Sequence, residues 1–399
     1  MGKPEIYFAN MGHGEAIAFK LNGQWYLRDF GESSSLREES TQCNIGKILN
    51  SEVCHNCEIK GFIRPEKKWD VIVSHFHDDH VRGFERLFDI ENSSKIFGNA
   101  FLPAQYLSNN KSDKKCFLLY MEANLHIFCF AKQRGYRNNA RSFFTIPVIM
   151  NALADRVRYL SSNNRNDAFP GTIYCPTDTL ALDDLANGYD IEKSLEDYYG
   201  SNSNNSNSVD DFRRTANEIY CIMEKYISND EGTDIGSAKD DHRSIVDKIK
   251  KLSKKYSSLS KDVRMLQKVV KGSIDDRSLV FDVSFPSDTM IDVLFLGDNS
   301  DSSLRKLFSN FKKRHYDYIK ADHHGSRGGK ILKKLFDVRS PESKVATTVC
   351  CCGKGHRSGM VNPEYNDLSN KVLWTEKKDK WTDSFHNVFG QCRIMPNDL

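Results

Sequence analysis

The feature that most constrains this chain is Val73-Ser74-His75-Phe76-His77-Asp78-Asp79-His80, which continues a short apolar run, Val71-Ile72-Val73. Three imidazoles and the Asp79 carboxylate follow directly on a predicted strand. The i, i+2 spacing lets His75 and His77 reach one ion from a turn at the strand end. Asp79 and His80, next along, then point at a second ion a few ångströms away. Imidazole and carboxylate hold borderline divalent ions, and two such ions side by side suit hydrolysis of phosphate esters. The expectation is a dinuclear centre of zinc or manganese, between which the residues do not choose.

Two downstream segments supply the rest of such a centre. Ile291-Asp292-Val293-Leu294-Phe295-Leu296 reads as a buried strand ending in Gly297-Asp298, where Asp298 is placed to bridge two ions. Tyr318-Ile319-Lys320-Ala321 reads as another strand and runs into Asp322-His323-His324-Gly325-Ser326, a source of the last imidazole. A Gly-Asp after a strand is usually a plain turn. The weight comes from the order of the three segments.

In these segments the chain resembles the metallo-β-lactamase fold hydrolases, and among them the nuclease domain of the ComEC DNA-uptake proteins. The family's Val-Gly-Gln-Gly-Asp-Ala opening is echoed by Met11-Gly12-His13-Gly14-Glu15-Ala16, and its aspartate turn by Leu27-Arg28-Asp29-Phe30-Gly31. Its Asn-x-x-Ser-Leu-Val strand is echoed by Asp275-Asp276-Arg277-Ser278-Leu279-Val280, with an acid for the asparagine. The likeness covers roughly residues 5 to 105 and 275 to 395. It implies an α/β fold, the αββα sandwich of two mixed sheets with metals at one sheet edge, split by a helical insertion. Residues 1–105 and 273–399 would form its two halves and 106–272 the mostly helical insertion.

Carried over residue by residue, the resemblance gives His75 and His77 to the first metal. It gives Asp79, His80 and His323 to the second, with Asp298 bridging. Asp79, Asp298 and His324 form the expected catalytic set, and Lys320, Arg327, Lys330 and His356 the expected substrate contacts. The first metal's usual third histidine has no clear counterpart: His126 lies in an apolar segment and reads as a core residue, and His242 reads as solvent-exposed. The family's C-terminal His-Pro pair is replaced by Asn362-Pro363, and nearby His356 is the residue available for its role.

The chain has 399 residues and a formal charge of +3, long enough for an ample core and too near neutral to demand or exclude a polyanionic ligand. No apolar run approaches the length that crosses a bilayer and no signal peptide is apparent, so a cytoplasmic enzyme without membrane contact is expected. The resemblance is to the hydrolase part of ComEC proteins alone, not to their membrane channel. The eleven cysteines are then expected as thiols. Cys54-x-x-Cys57 is half a zinc motif without a second half, and Cys350-Cys351-Cys352 closes a predicted buried strand from Val345 to Val349.

The middle region carries its own pattern. Ile245, Ile249, Leu252, Tyr256, Leu259, Val263, Leu266 and Val270 alternate steps of four and three, a heptad seam on one long helix with Gly272 as its C-cap. Phe212, Ala216, Ile219, Met223 and Tyr226 form a shorter run, so an antiparallel coiled-coil-like hairpin is expected. Either its helices pack on each other, or helices 210–271 make a homodimer or bind a protein partner. Residues 201–208 read as a polar linker. From Asp240 to Lys271 ten Lys or Arg face four Asp, and Lys132 to Arg141 interleaves basic residues with Tyr136. Both fit a phosphate backbone as well as they fit a solvated surface.

The expected activity is metal-dependent phosphodiester hydrolysis, with DNA favoured by the resemblance and antiviral or other defence against foreign DNA as a fitting role under a partner's control. A phosphodiesterase of cyclic or other signalling nucleotides is the alternative enzyme. A non-enzymatic interaction protein with a structural metal site is the alternative outside enzymology.

Overall fold

The computed structural model describes residues 5–8, 14–31, 68–90, 95–104, 111–162, 166–176, 183–184, 189–201, 206–228, 231–286, 290–307, 316–326, 329–336, 345–351, 363–374 and 392–394. The elements run β1 (Glu5–Phe8), β2 (Ile17–Leu21), β3 (Gln24–Arg28), β4 (Trp69–Ile72), α1 (Asp78–Ile90), β5 (Phe97–Pro103), α2 (Lys111–Phe130), α3 (Arg134–Leu153), β6 (Ala154–Leu160), β7 (Thr172–Cys175), β8 (Asp183–Asp184), β9 (Tyr189–Asp190), α4 (Ile191–Ser201), α5 (Ser206–Ile227), α6 (Ile235–Lys255) and α7 (Arg264–Asp276). They continue with β10 (Val280–Phe285), β11 (Ile291–Phe295), α8 (Asp301–Leu307), β12 (Tyr318–Lys320), a 3-10 turn (Asp322–Gly325), α9 (Gly329–Leu335), β13 (Val345–Cys350), α10 (Tyr365–Leu368), β14 (Ser369–Trp374) and β15 (Cys392–Ile394).

The fold is mixed α/β with two mixed sheets. The first has strand order β15-β1-β2-β3-β4-β5-β6, antiparallel from β15 to β3 and parallel from β3 to β6. The second has order β14-β13-β12-β11-β10-β7, parallel from β14 to β11 and antiparallel from there to β7. Period-two alternation decides what each strand face covers. In β11 and its extension, Val293 and Phe295 enter a core shared with Phe8, Phe19 and Ile72 of the first sheet, while Leu294 and Leu296 pack with Leu304, Ile331 and Leu332 of the helices behind. Leu279, Phe281, Val283 and Phe285 all enter the shared core, as their alternation predicts.

The helices expected as a coiled-coil-like hairpin in the middle region do not stand off from the sheets. Helices α2 to α7 share one continuous core with Val71, Phe97, Leu102 and Val157 of the first sheet, so they lie over its outer face. Strands β6 and β7, both from the middle region, complete one edge of each sheet. The expected long helix is two. It stops at Lys255 and resumes at Arg264, because Ser257 turns the chain back with its N–H and Oγ both donating to the Lys254 carbonyl (3.3 and 2.9 Å). The seam residues are buried except Leu259, which is 36 % exposed at the break, and Gly272 lies inside α7 rather than capping it. Lys132 to Arg141 runs into the first two turns of α3 instead of forming a loop. There the Asp78 N–H donates to Asn139 Oδ1 (2.9 Å) and Asn138 Nδ2 donates to Asp78 Oδ2 (3.3 Å), tying α3 to the start of α1. Among the described residues no helix is long and apolar enough to cross a membrane.

Candidate metal centre

Strands β3, β4, β11 and β12 all deliver candidate residues just past their carboxyl ends, the edge of an α/β sheet where loops are free to carry chemistry. Strand β4 gives the 73–77 loop and the first turn of α1, β11 gives Asp298, and β12 gives the turn carrying His323 and His324. Behind them Asp29, at a left-handed φ of 55°, organises the loop. Its carboxylate accepts from Ser74 N–H (2.7 Å) and Ser74 Oγ–H (2.7 Å), and its Oδ2 lies 3.0 Å from His80 Nδ1. That bond directs His80 Nε2 away from the core, towards Asp298.

Among the described residues three donor groups result, each with its candidate ligand atoms within 4.8 Å of one another: the adjacent pair His75, His77 and Asp275, and His75, His80 and Asp298, and a third of Glu15, His80 and His324, whose Glu15 is already paired with Arg28 and Lys320. His77 Nδ1 lies 3.1 Å from His75 Nε2 and 3.1 Å from Asp275 Oδ1. Asp298 Oδ2 lies 3.1 Å from His323 Nδ1, 3.7 Å from His80 Nε2 and 3.8 Å from His75 Nε2. The two longer separations exceed a hydrogen bond but suit neighbouring ligands of an ion bonded at about 2.0–2.2 Å. Buried His80 Nε2 and Asp298 Oδ1 have no hydrogen-bond partner, which is costly without a cation. The nitrogen and oxygen donor set thus fits zinc or manganese. Asp79 stands slightly apart, half-buried, with its Oδ2 3.3 Å from His324 Nε2; His324 Nδ1 donates to the Cys351 carbonyl (2.9 Å). His323 and His324 both have positive φ, 42° and 57°, which turns their rings inward from a tight turn.

Burial favours the neutral imidazole of His75 and holds it well below its usual range, helped by the neighbouring His80 charge. For His80 burial acts the same way, but the Asp298 and Asp29 carboxylates overcome it and push the ring up to about 10. Burial would raise Asp298 and Asp79, yet both are lowered. His323, His80 and His75 outweigh it at Asp298, and the His324 hydrogen bond with the His80 charge does so at Asp79. The carboxylates are therefore ionised, and a bound cation would replace the His80 proton in balancing them.

The structure brings together His75, His77, Asp79, His80, Asp298, His323 and His324. It also adds Asp275, which completes a three-donor group with His75 and His77. Its signal in the sequence was the acid standing where the ComEC-like pattern has asparagine. Lys320 departs from its expected role as a substrate contact. It is fully buried, its Nζ 2.5 Å from Glu15 Oε2 and donating to the Leu296 carbonyl (3.2 Å), while Arg28 pairs with the same Glu15 carboxylate. A lysine in that position supports the site from behind. Arg327, His356, Cys54 and Cys57 lie outside the described residues, as does the Lys330 side chain. His126 is a core residue, stacked on Phe212 and hydrogen-bonded to Tyr199 (2.8 Å). His242 is half-buried against Phe88 rather than exposed. No protein-family model and no curated protein matches the chain.

Proposed function

We propose that this chain is a dinuclear-metal phosphodiesterase of the metallo-β-lactamase αββα type, a nuclease acting on DNA. The observation that carries the reading is the pair of adjacent buried donor groups at one sheet edge, with Asp298 facing three imidazoles. A site that only stapled loops together would need one ion and no half-buried carboxylate beside it. Here Asp79 is such a carboxylate, held by His324 at the rim.

His75, His77 and Asp275 would hold one ion, and His80, His323 and Asp298 the other. Bound ions supply Lewis acidity and lower the pKa of water. The chain's own residues do the rest. Asp29 and Ser74 fix the His80 ring, while His324, anchored on the Cys351 carbonyl, holds the Asp79 carboxylate where it can orient an attacking water by accepting its hydrogen bond. The choice of DNA rests on the likeness of the Gly12 to Ala16, Ser278 to Val280 and His323 to Ser326 segments to the ComEC nuclease domain.

The test is cleavage by the pure protein with manganese or zinc. Single- or double-stranded DNA should be cut, and Asp79→Ala should abolish cutting while leaving metal bound. Intact DNA and RNA under all these conditions would overturn the nuclease reading, and turnover of cyclic nucleotides alone would replace it with a small-molecule phosphodiesterase.

A further inference from the structure

A cavity of about 430 Å³ lies away from the metal centre, where the first turn of α3 meets the break between α6 and α7. Lys132, Lys261 and Arg264 bring positive charge to it, and Asp262 is the only acid among the described residues of its wall. Asp262 is already engaged by Arg264 through a bidentate pair (Nε to Oδ1 3.0 Å, Nη2 to Oδ2 2.5 Å), so the wall keeps a net positive charge. Phe130 and a half-buried Tyr136 form its apolar side, with Lys261 Nζ 5.6 Å from the Phe130 ring centre. The size is that of a small-molecule pocket. Lys132 and Tyr136 of the first basic-aromatic stretch and Lys261 and Arg264 of the basic 240–271 stretch meet here.

We propose that this cavity binds one unpaired nucleotide of a single strand, its base on Tyr136 and its phosphate between Lys132 and Lys261. An aromatic face beside paired cations is the combination that binds single strands, because every base offers a face to stack and every nucleotide a charge to neutralise. A duplex keeps its bases stacked and paired and offers none of their faces to Tyr136. Position links the cavity to catalysis. Asn139, one helical turn beyond Tyr136, holds the Asp78 N–H at the start of the α1 turn that carries Asp79 and His80. The same helix thus lines the cavity and ties down the loop that carries Asp79 and His80. The choice of a strand over a free nucleotide rests on the nuclease reading.

The experiment is fluorescence anisotropy of a labelled oligothymidine, as single strand and as duplex, with the full chain held in chelator so that nothing is cut. Wild type should bind the single strand more tightly than the duplex. Tyr136→Ala should weaken single-strand binding roughly 5- to 100-fold. Tyr136→Leu, which keeps apolar packing on α3, should weaken it in the same direction. Lys132→Gln and Lys261→Gln should each lower the slope of log Kd against log salt by about 0.7. Wild-type affinity and slope in all four variants would overturn the proposal, as would equal binding of duplex and single strand. Thymidine monophosphate bound as tightly as the oligonucleotide would also overturn it, in favour of a free-nucleotide site. Failure of the cavity is distinguishable from failure of the nuclease reading. Wild type that cuts DNA with variants that still bind normally sinks the cavity alone, whereas lost binding in the variants without any cutting by wild type sinks only the nuclease.

Discussion

Adding one methyl group at Gly31 should disable the metal centre from beneath. Gly31 follows the Asp29 turn and lies under the first turn of α1: its N–H donates to the Glu15 carbonyl (2.9 Å), and the neighbouring Phe30 N–H donates to the His80 carbonyl (2.8 Å). A Cβ at this position would lie 2.1 Å from the carbonyl carbon and oxygen of Asp79 and 2.2 Å from the His80 nitrogen. Ordinary contact needs about 3.5 Å, so the Asp79–His80 peptide must move by more than about 1 Å. The obstacle is backbone on both sides, so no side-chain rotation relieves it. Overpacking of this kind costs roughly 1–3 kcal/mol. The same displacement moves Asp79 and His80 together, and a misplacement near 1 Å costs on the order of 100-fold in rate. Gly31→Ala should therefore bind metal more weakly at the His80–Asp298 side and lose most activity while remaining folded. Gly23→Ala is the matched control. Its φ of +78° strains the new residue, but nothing lies within 4 Å of the added carbon, so it should lower stability without altering metal content. Metal analysis per chain and thermal unfolding of both variants, alongside the cleavage assay, decide the matter. A Gly31→Ala protein with wild-type metal content and rate would refute the argument that this turn holds the α1 loop in place.

Asp275→Ala should remove one donor from the His75–His77 group and lower zinc affinity there more than tenfold, read as a fall in bound zinc at limiting metal; unchanged stoichiometry would remove Asp275 from the site. Leu252→Glu places a charge in a buried seam and should cost roughly 3–5 kcal/mol, whereas Leu259→Glu at the exposed break should stay within about 0.5 kcal/mol. Denaturant unfolding separates them, and light scattering showing a lost dimer in Leu259→Glu would restore an assembly role for that position. Burial, aided by Arg141 and Lys250, pushes His242 from 6.5 down to about 4. Its unfolded form thus binds a proton that the folded form refuses, so its stabilising contribution is fully present above pH 6.5 and falls as pH drops towards 4. In His242→Phe, which keeps the contact with Phe88, denaturant midpoints between those pH values should decline less than in wild type; parallel curves would refute it.

Much of the sheet architecture was legible in the residues because a strand's signal is local. Alternation at 279–285, the apolar run of 291–296 and the run from Val345 each mark a strand without knowledge of any partner. The convergence of His75, His77 and His80 was legible for a similar reason, since side chains spaced two residues apart need only one turn to come together. Asp298 and His323 required order along the chain as well, and the distances between them exist only after β11 and β12 pair in parallel. Lys320 shows the opposite case. Its position beside a His-His turn looks like a phosphate contact, but strand alternation turns it inward, where Glu15, from the segment before β2, and the Leu296 carbonyl make its burial tolerable. Asp275 likewise came to lie beside His77 only through the end of α7, a helix that begins at Arg264 after the break at Ser257. The heptad from 245 to 270 specified which faces are apolar but not where the helix breaks or what covers it. A seam records the periodicity of burial; the partner buried against it, here a sheet and five other helices, is chosen by the whole chain.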